Sequence, residues 1–173
     1  RGLHTGAASI VITTGSIHGL DLALGVLPQS NSADRLLALE NPGYRSATAL
    51  ATHRGWSVHD VPVDRDGLIV EHLESSPQHT SAVYVTPSHQ YPTGGFMPIG
   101  RRRALADWAR RTESMIIEDD YDSEFRYGAA PLPTVAELAP DQTIYLGTVS
   151  KTLGAGIRLG WMVAPPSIVD RIT

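Results

Sequence analysis

Lys151 is the only lysine among 14 basic residues, and it sits in Thr148-Val149-Ser150-Lys151-Thr152-Leu153-Gly154-Ala155-Gly156. Arginine keeps its proton near neutral pH, whereas burial or a neighbouring charge tunes lysine to a nucleophilic amine. Ionic duties elsewhere fall to arginine, so this position calls for a primary amine able to form a Schiff base. The bland alternative is an arginine-rich composition that left one lysine behind. A second group is the acidic run Glu118-Asp119-Asp120-Tyr121-Asp122-Ser123-Glu124. Its five carboxylates in seven residues repel one another, which a plain turn would not accumulate. Oxygen-rich clusters bind hard cations. If a strand runs through, Ile117, Asp119 and Tyr121 share one face. A carboxylate and a phenol projecting together suit the ring nitrogen and phenolic oxygen of one heteroaromatic ring.

Three further groups carry chemistry. Thr14-Gly15-Ser16-Ile17 at a strand-to-helix turn offers backbone N–H groups and a hydroxyl to a phosphate, though taken alone it reads as an ordinary serine N-cap. Arg158, seven residues after Lys151 and before a strand, could neutralise a phosphate bidentately or be a plain surface arginine. Thr148 and Ser150 flank the lysine, and Gly154, Gly156 and Gly160 permit close backbone approach. Glu40-Asn41-Pro42-Gly43-Tyr44 puts an aromatic at a helix start, where it could stack on a planar ligand or simply pack in a turn. A phosphate cradle, an aromatic stack, an acid for a ring nitrogen, a phenol and a Schiff-base lysine together match pyridoxal 5′-phosphate. The seven histidines show no metal spacing, and no metal site is expected.

These groups need rigid elements to hold them. Apolar runs alternate with helical periodicity, which predicts an α/β domain with a largely parallel sheet. Ser9–Ile12, Leu36–Leu39, Trp56–Val61, Ala82–Val85, Met115–Asp119, Thr143–Leu146 and Leu159–Val163 read as strands. A helix follows Gly15 with Ile17, Leu20, Leu24 and Leu27 on one face. Others run from Tyr44 to about His53 and from Pro98, the latter with Leu105, Trp108 and Ala109 inward, and Val70–Glu74 is a short one. Pro28–Asp34 is a polar loop. Ligands of open α/β sheets bind beyond the carboxyl ends of the strands, where the groups above fall.

Composition bounds the rest. A chain of 173 residues with 42% hydrophobic content supports one domain, 1–173, with a sizeable core. A net charge of −4 argues against a nucleic-acid surface on this piece, and the Arg101-Arg102-Arg103 and Arg110-Arg111 runs read as solvated helix faces. There is no cysteine, so neither a disulfide framework nor a thiolate metal site. No apolar run approaches the ~18 residues of a membrane span; a cytoplasmic protein is the default expectation. The chain begins Arg1-Gly2-Leu3 without methionine, as a processed or excised piece would.

The chain resembles the fold-type I pyridoxal-phosphate aminotransferases, and more narrowly the aminotransferase-like domain of MocR/GabR-type bacterial regulators. The carrying segments are Ile12–Ser16, Glu40–Tyr44, Val83–Gly94, Ile117–Tyr127, Ser150–Leu153 and Gly156–Gly160. Thr86-Pro87-Ser88-His89-Gln90-Tyr91-Pro92-Thr93-Gly94 and Glu118-Asp119-Asp120-Tyr121-Asp122-Ser123-Glu124-Phe125 are the most specific to that subgroup. The resemblance implies a three-layer α/β/α large domain with a mixed, mostly parallel sheet. It implies that Lys151 forms the Schiff base and later shuttles a proton, that Asp119 keeps the pyridine nitrogen protonated, and that Tyr121 holds the phenolic oxygen. Tyr44 would stack on the ring, and Gly15, Ser16, Ile17, Thr148, Ser150 and Arg158 would hold the phosphate.

One departure is Tyr91, where ordinary aminotransferases have asparagine before Pro-Thr-Gly; His89 is the nearby polar residue that could take over its contact. The family's N-terminal helix-turn-helix and C-terminal small domain, with its carboxylate-binding arginine, have no counterpart here. The implied parent is a homodimer that touches DNA only through the absent N-terminal domain. It exchanges the Schiff base with an amino acid or amine, as a regulator's sensor. The competing reading is an aminotransferase that converts an amino acid to a 2-oxo acid. A scaffold that has lost the cofactor is the third, and intact Lys151, Asp119 and Tyr121 argue against it.

Overall fold

Short apolar segments bounded by turn residues pair into one mixed sheet in the computed structural model, which describes residues 3, 5–27, 35–122, 132–151 and 154–172. The strands are β1 (Ile10–Thr13), β2 (Leu36–Asn41), β3 (Ser57–Asp64), β4 (Gly67–Leu68), β5 (Ala82–Val85), β6 (Met115–Asp120), β7 (Thr143–Thr148) and β8 (Gly160–Val163). Helices α1 (Ser16–Val26), α2 (Arg45–His53) and α3 (Ile99–Thr112) are joined by the one-turn α4 (Val135–Leu138) and α5 (Pro166–Val169). The sheet order is β1-β8-β7-β6-β5-β2-β3-β4. From β7 to β3 neighbours are parallel, whereas β8 is antiparallel to both β1 and β7, and β4 to β3.

A parallel sheet is buried on both faces, and strand alternation supplies both. Leu37, Leu39, Tyr84, Ile117 and Ile144 join α1 and α2 in one core, while Ala38, Val83, Val85 and Ile116 join α3 in the other. The three-layer α/β/α arrangement expected from the sequence is therefore present. Differences lie at the edges of elements. The first strand starts one residue later, behind a 3₁₀ turn at Ala7–Ser9. Strand β3 runs on to Asp64 because Asn41 of β2 still pairs with Pro62 and β4 pairs with Val63 and Asp64. Val70–Ser75 is a 3₁₀ rather than an α-helix. The two-residue β4 and the one-turn α4, closed by a Thr134–Glu137 capping box, are too short to leave a periodic signal. The expected loop over 28–34, the segment 123–127 and Thr152-Leu153 lie outside the described residues. Among the described residues no helix is long and apolar enough to cross a membrane.

The reading of Arg101–Arg103 as a solvated face needs correction at Arg102, which is fully buried. Residues 102, 105, 106 and 109 are spaced i, i+3, i+4, i+7, so Arg102 stands on the inward stripe of α3 with Leu105, Ala106 and Ala109. Its Nε donates to the Met97 carbonyl (2.9 Å), Nη1 to Pro133 (3.0 Å) and Nη2 to Pro87 (2.8 Å). Glu118 Oε1 lies 3.9 Å from Nη1. Arg101, Arg110 and Arg111 behave as expected, pairing at the surface with Asp64, Asp107 and Glu74.

Gly147 in β7 shows how tightly the sheet is packed beside the site. A Cβ there would lie 2.3 Å from the ring of Trp161, its register partner on β8. Gly147→Ala is expected to destabilise the fold by about 1–3 kcal/mol through overpacking. Urea denaturation checks it, and a loss well under 1 kcal/mol would mean that Trp161 swings aside freely.

Candidate functional site

The carboxyl ends of the parallel strands open onto a cavity of about 440 Å³. Its lining brings together the ten residues expected to meet a cofactor: Gly15, Ser16, Ile17, Tyr44, Asp119, Tyr121, Thr148, Ser150, Lys151 and Arg158. Tyr84, Thr86 and Tyr91 line it as well. Tyr84 is legible afterwards as the one polar tip at the end of an otherwise apolar strand, and Thr86 as the first turn residue beyond it.

One end of the cavity is built from backbone. Helix α1 starts at Ser16, so its first N–H groups have no intrahelical acceptor. Gly15 has φ 113°, and a Cβ on it would come within 3.6 Å of the Arg158 guanidinium. Arg158 itself stands in the left-handed region at φ 51°, uncommon for a non-glycine residue. Thr148 ties this end together: its hydroxyl meets Ser150 Oγ at 2.9 Å and donates to the Leu159 carbonyl at 3.2 Å. Gly160, the first residue of antiparallel β8, pairs with Thr13 at the end of β1 and with Thr148 at the end of β7, which is why Arg158 adjoins the start of α1 although the two are distant in sequence. Lys151 is exposed at the end of β7 and lines the cavity.

The acidic run separates into individual partnerships. Glu118 points to the α3 side and accepts from the backbone N–H groups of Val135 (3.1 Å) and Ala136 (2.9 Å) at the start of α4. Asp120 accepts from Tyr145 Oη at 2.5 Å, and Asp122 meets His89 Nδ1. Asp119 faces the cavity side, where its Oδ2 accepts from Tyr84 Oη at 2.5 Å. Its Oδ1 is buried and makes no hydrogen bond; the Ser16 hydroxyl lies near enough only to favour the charged form. Strand alternation thus separates the charges, and among the described residues no group of three His, Asp or Glu side chains is placed to hold a metal. Glu124 lies outside the described residues.

Burial raises the Asp119 carboxyl to about 6, against the Tyr84 hydroxyl, and raises Glu40 and Glu118 to about 7. Their ordinary values are 3.8 for Asp and 4.5 for Glu, so across the interval the folded chain holds more protons than the unfolded one. Stability contributed by these groups therefore falls as pH rises from about 4 to about 7. The ligand-free protein should show a lower urea midpoint at about pH 7.5 than at about pH 5, with an unfolding free energy smaller by an amount on the order of a few kcal/mol. A midpoint that climbs over this range would mean the three carboxyls are ionised and well paired in the fold.

Aromatic rings form a wall of the cavity. Tyr91 meets Tyr44 edge-on (centroids 5.8 Å, 84°) and Tyr121 likewise (6.3 Å, 86°). His89 stacks on Tyr121 at 6.2 Å and is not among the lining residues. The side chain that lines the cavity at the asparagine-replacing position is Tyr91 itself. Burial, with the charges of Asp122 and Asp119, holds the Tyr121 phenol well above its ordinary pKa, so it stays a protonated donor.

A family model for aminotransferase class I and II matches residues 2–173. The chain belongs to that family. It is 41% identical over 165 residues to the HTH-type pyridoxine biosynthesis transcriptional regulator PdxR of Corynebacterium glutamicum, covering 95% of this chain and 35% of that protein. It is 33% identical to the probable rhizopine catabolism regulatory protein MocR of Rhizobium meliloti, covering 98% of this chain and 34% of that one. Among solved structures, LysN, the α-aminoadipate aminotransferase of Thermus thermophilus complexed with N-(5′-phosphopyridoxyl)-L-leucine, superposes with a TM-score of 0.87 at 32% identity. That match covers 95% of this chain and 43% of LysN. This member of the aminotransferase family therefore spans about a third of the length of the regulators it resembles.

Proposed function

We propose that this chain is a pyridoxal 5′-phosphate-binding aminotransferase-like domain, the effector-sensing part of a MocR/GabR-type transcriptional regulator. The observation that carries the reading is the meeting in one cavity of a lysine amine, a buried carboxylate with an unpartnered oxygen, and an arginine beside a helix start. These residues fit the cofactor. A protonated ring nitrogen would give Asp119 Oδ1 the donor it lacks, and an unpaired buried acceptor is costly. Tyr121 would donate to the phenolic oxygen and Tyr44 would lie against the ring. Gly15, Ser16 and Ile17, with Thr148, Ser150 and Arg158, would hold the phosphate.

When bound, the cofactor supplies an electron sink for bonds to the ligand's α-carbon. Lys151 supplies the amine for the covalent link and can hold or return a proton at Nζ. Asp119 keeps the ring nitrogen protonated, and the tyrosine wall excludes water. With an amino-acid or amine ligand bound, Lys151, three residues beyond β7, would be the group that holds or releases a proton at Nζ, and its change of state would be what the rest of the protein reads. In the full protein this chain is the cofactor-binding large domain. DNA contact belongs to an N-terminal helix-turn-helix, the ligand carboxylate is held by a C-terminal small domain, and the unit works as a cytoplasmic homodimer. The likeness to LysN supports a second reading, a catalytic amino-acid aminotransferase.

Borohydride reduction after addition of pyridoxal 5′-phosphate, followed by peptide mass spectrometry, tests the site. A phosphopyridoxyl group on Lys151 that still forms when excess pyridoxal is present before reduction supports it; an unmodified Lys151 in the full-length protein sinks it. Amino acids that change the affinity of the full protein for DNA without yielding 2-oxo acid favour the sensor, and steady 2-oxo acid production favours the enzyme.

A further inference from the structure

Tyr44 and Tyr91 come from separate turns, after β2 and β5 respectively, yet form one wall. What joins the turns is Glu40, at the end of β2 and 5% exposed. Its Oε2 accepts from Thr86 Oγ1 at 2.5 Å and from Gln90 Nε2 at 3.3 Å. Thr86 Oγ1 in turn accepts the Tyr91 N–H at 3.2 Å. Gln90 Nε2 also reaches the Pro42 carbonyl (2.9 Å), two residues before Tyr44, and the Tyr91 carbonyl (2.6 Å). Two amide hydrogens serve these three acceptors, the Glu40 contact being the longest. Gln90 Oε1 accepts from the N–H and hydroxyl of Thr93, which holds the amide in this orientation. Backbone on both sides of the Tyr44–Tyr91 contact is thus bridged through one carboxylate and one amide.

The bridge has a cost that packing alone does not explain. Glu40 Oε1 is buried without a hydrogen-bond partner, and an apolar residue would fill the space without a buried carboxyl. A network of this kind fixes geometry instead. Thr86 is at once a member of the bridge and part of the cavity lining, so the geometry it fixes is that of the site.

We propose that Glu40 is a positioning residue: acting through Thr86 and Gln90, it sets the approach of Tyr91 to Tyr44 and thereby the width of the cavity open to the amino ligand. The inference rests on the cofactor reading above, since it assigns the wall of that site.

The probe is N-(5′-phosphopyridoxyl)-L-leucine, and its Kd is measured on the full-length protein. Glu40→Leu should weaken it about tenfold or more by releasing the bridge. Glu40→Gln, whose amide oxygen can accept the same two hydrogen bonds, should stay within about threefold of the original. In a Tyr91→Ala background Glu40→Leu should cost less than about twofold, because the ring it positions is gone. Additive losses from Glu40→Leu and Tyr91→Ala, or a Glu40→Gln variant no better than Glu40→Leu, would overturn the assignment. If circular dichroism finds Glu40→Leu unfolded, Gln90→Leu breaks the same bridge from its other end, and additivity with Tyr91→Ala there overturns it equally. Failure of the underlying cofactor reading looks different: the unmutated protein then neither binds the probe nor carries the Lys151 adduct.

Discussion

Replacing Lys151 with arginine is expected to abolish the borohydride-trapped adduct while leaving the fold and the positive charge of the cavity in place. The guanidinium keeps its proton near neutral pH and offers no free amine lone pair, so the substitution removes nucleophilicity and little else. Lys151 is exposed on the cavity rim, where a longer cation can be accommodated. Mass spectrometry of the reduced protein should show the peptide's adduct fall by more than about 100-fold, as expected when covalent capture itself is lost. Pyridoxal 5′-phosphate should still bind through the phosphate end, more weakly, in equilibrium dialysis. An adduct that survives at full stoichiometry lies on some other amine and removes Lys151 from the chemistry.

Arg102→Ala carries the largest expected loss of stability, about 3–5 kcal/mol, because it leaves Glu118 buried beside an empty space without its cation. The carbonyls of Met97, Pro133 and Pro87 each lose a donor at the same time, although Pro87 keeps the Met97 N–H. The substitution acts on the site at one remove, since Pro87 and Met97 bracket the turn that carries Tyr91. Urea denaturation gives the loss directly. The pair Arg102→Met with Glu118→Gln should recover part of it, since no unpaired charge then remains inside. A loss under about 1 kcal/mol for Arg102→Ala would mean that water reaches Glu118 and that the ion pair is dispensable.

Much of the fold was legible because each strand and long helix carries its own local pattern. Ala82–Val85 was read to the residue, and Met115–Asp119 came within one of its end. The candidate site was legible for a related reason: its chemistry sits in side chains of unusual type at strand ends. A lone lysine, an acid and a phenol in alternation, and an arginine seven residues on remain conspicuous without any knowledge of neighbours. Arg102 is the instructive failure. Its spacing from Leu105, Ala106 and Ala109 marked the inward stripe, yet an arginine in a basic run reads as solvated. Nothing local announces the three carbonyls that receive it. Tyr84 and Thr86 were hidden in the same way, one inside an apolar strand and the other in a turn.

The sequence by itself determined the main strands and long helices, the α/β class and the identity of the groups that could meet pyridoxal phosphate, because periodicity and functional-group chemistry are local properties. Tertiary structure decided which groups meet and in what charge state. It turned β8 antiparallel between β1 and β7, which sets Arg158 against Gly15. It dealt Glu118, Asp119, Asp120 and Asp122 to separate partners, and it buried Glu40 against Thr86 and Gln90 from another turn. Those outcomes depend on strand pairing and on loss of water around each charge. Both are set by residues far away in the chain, so no window of sequence around a carboxylate contains them.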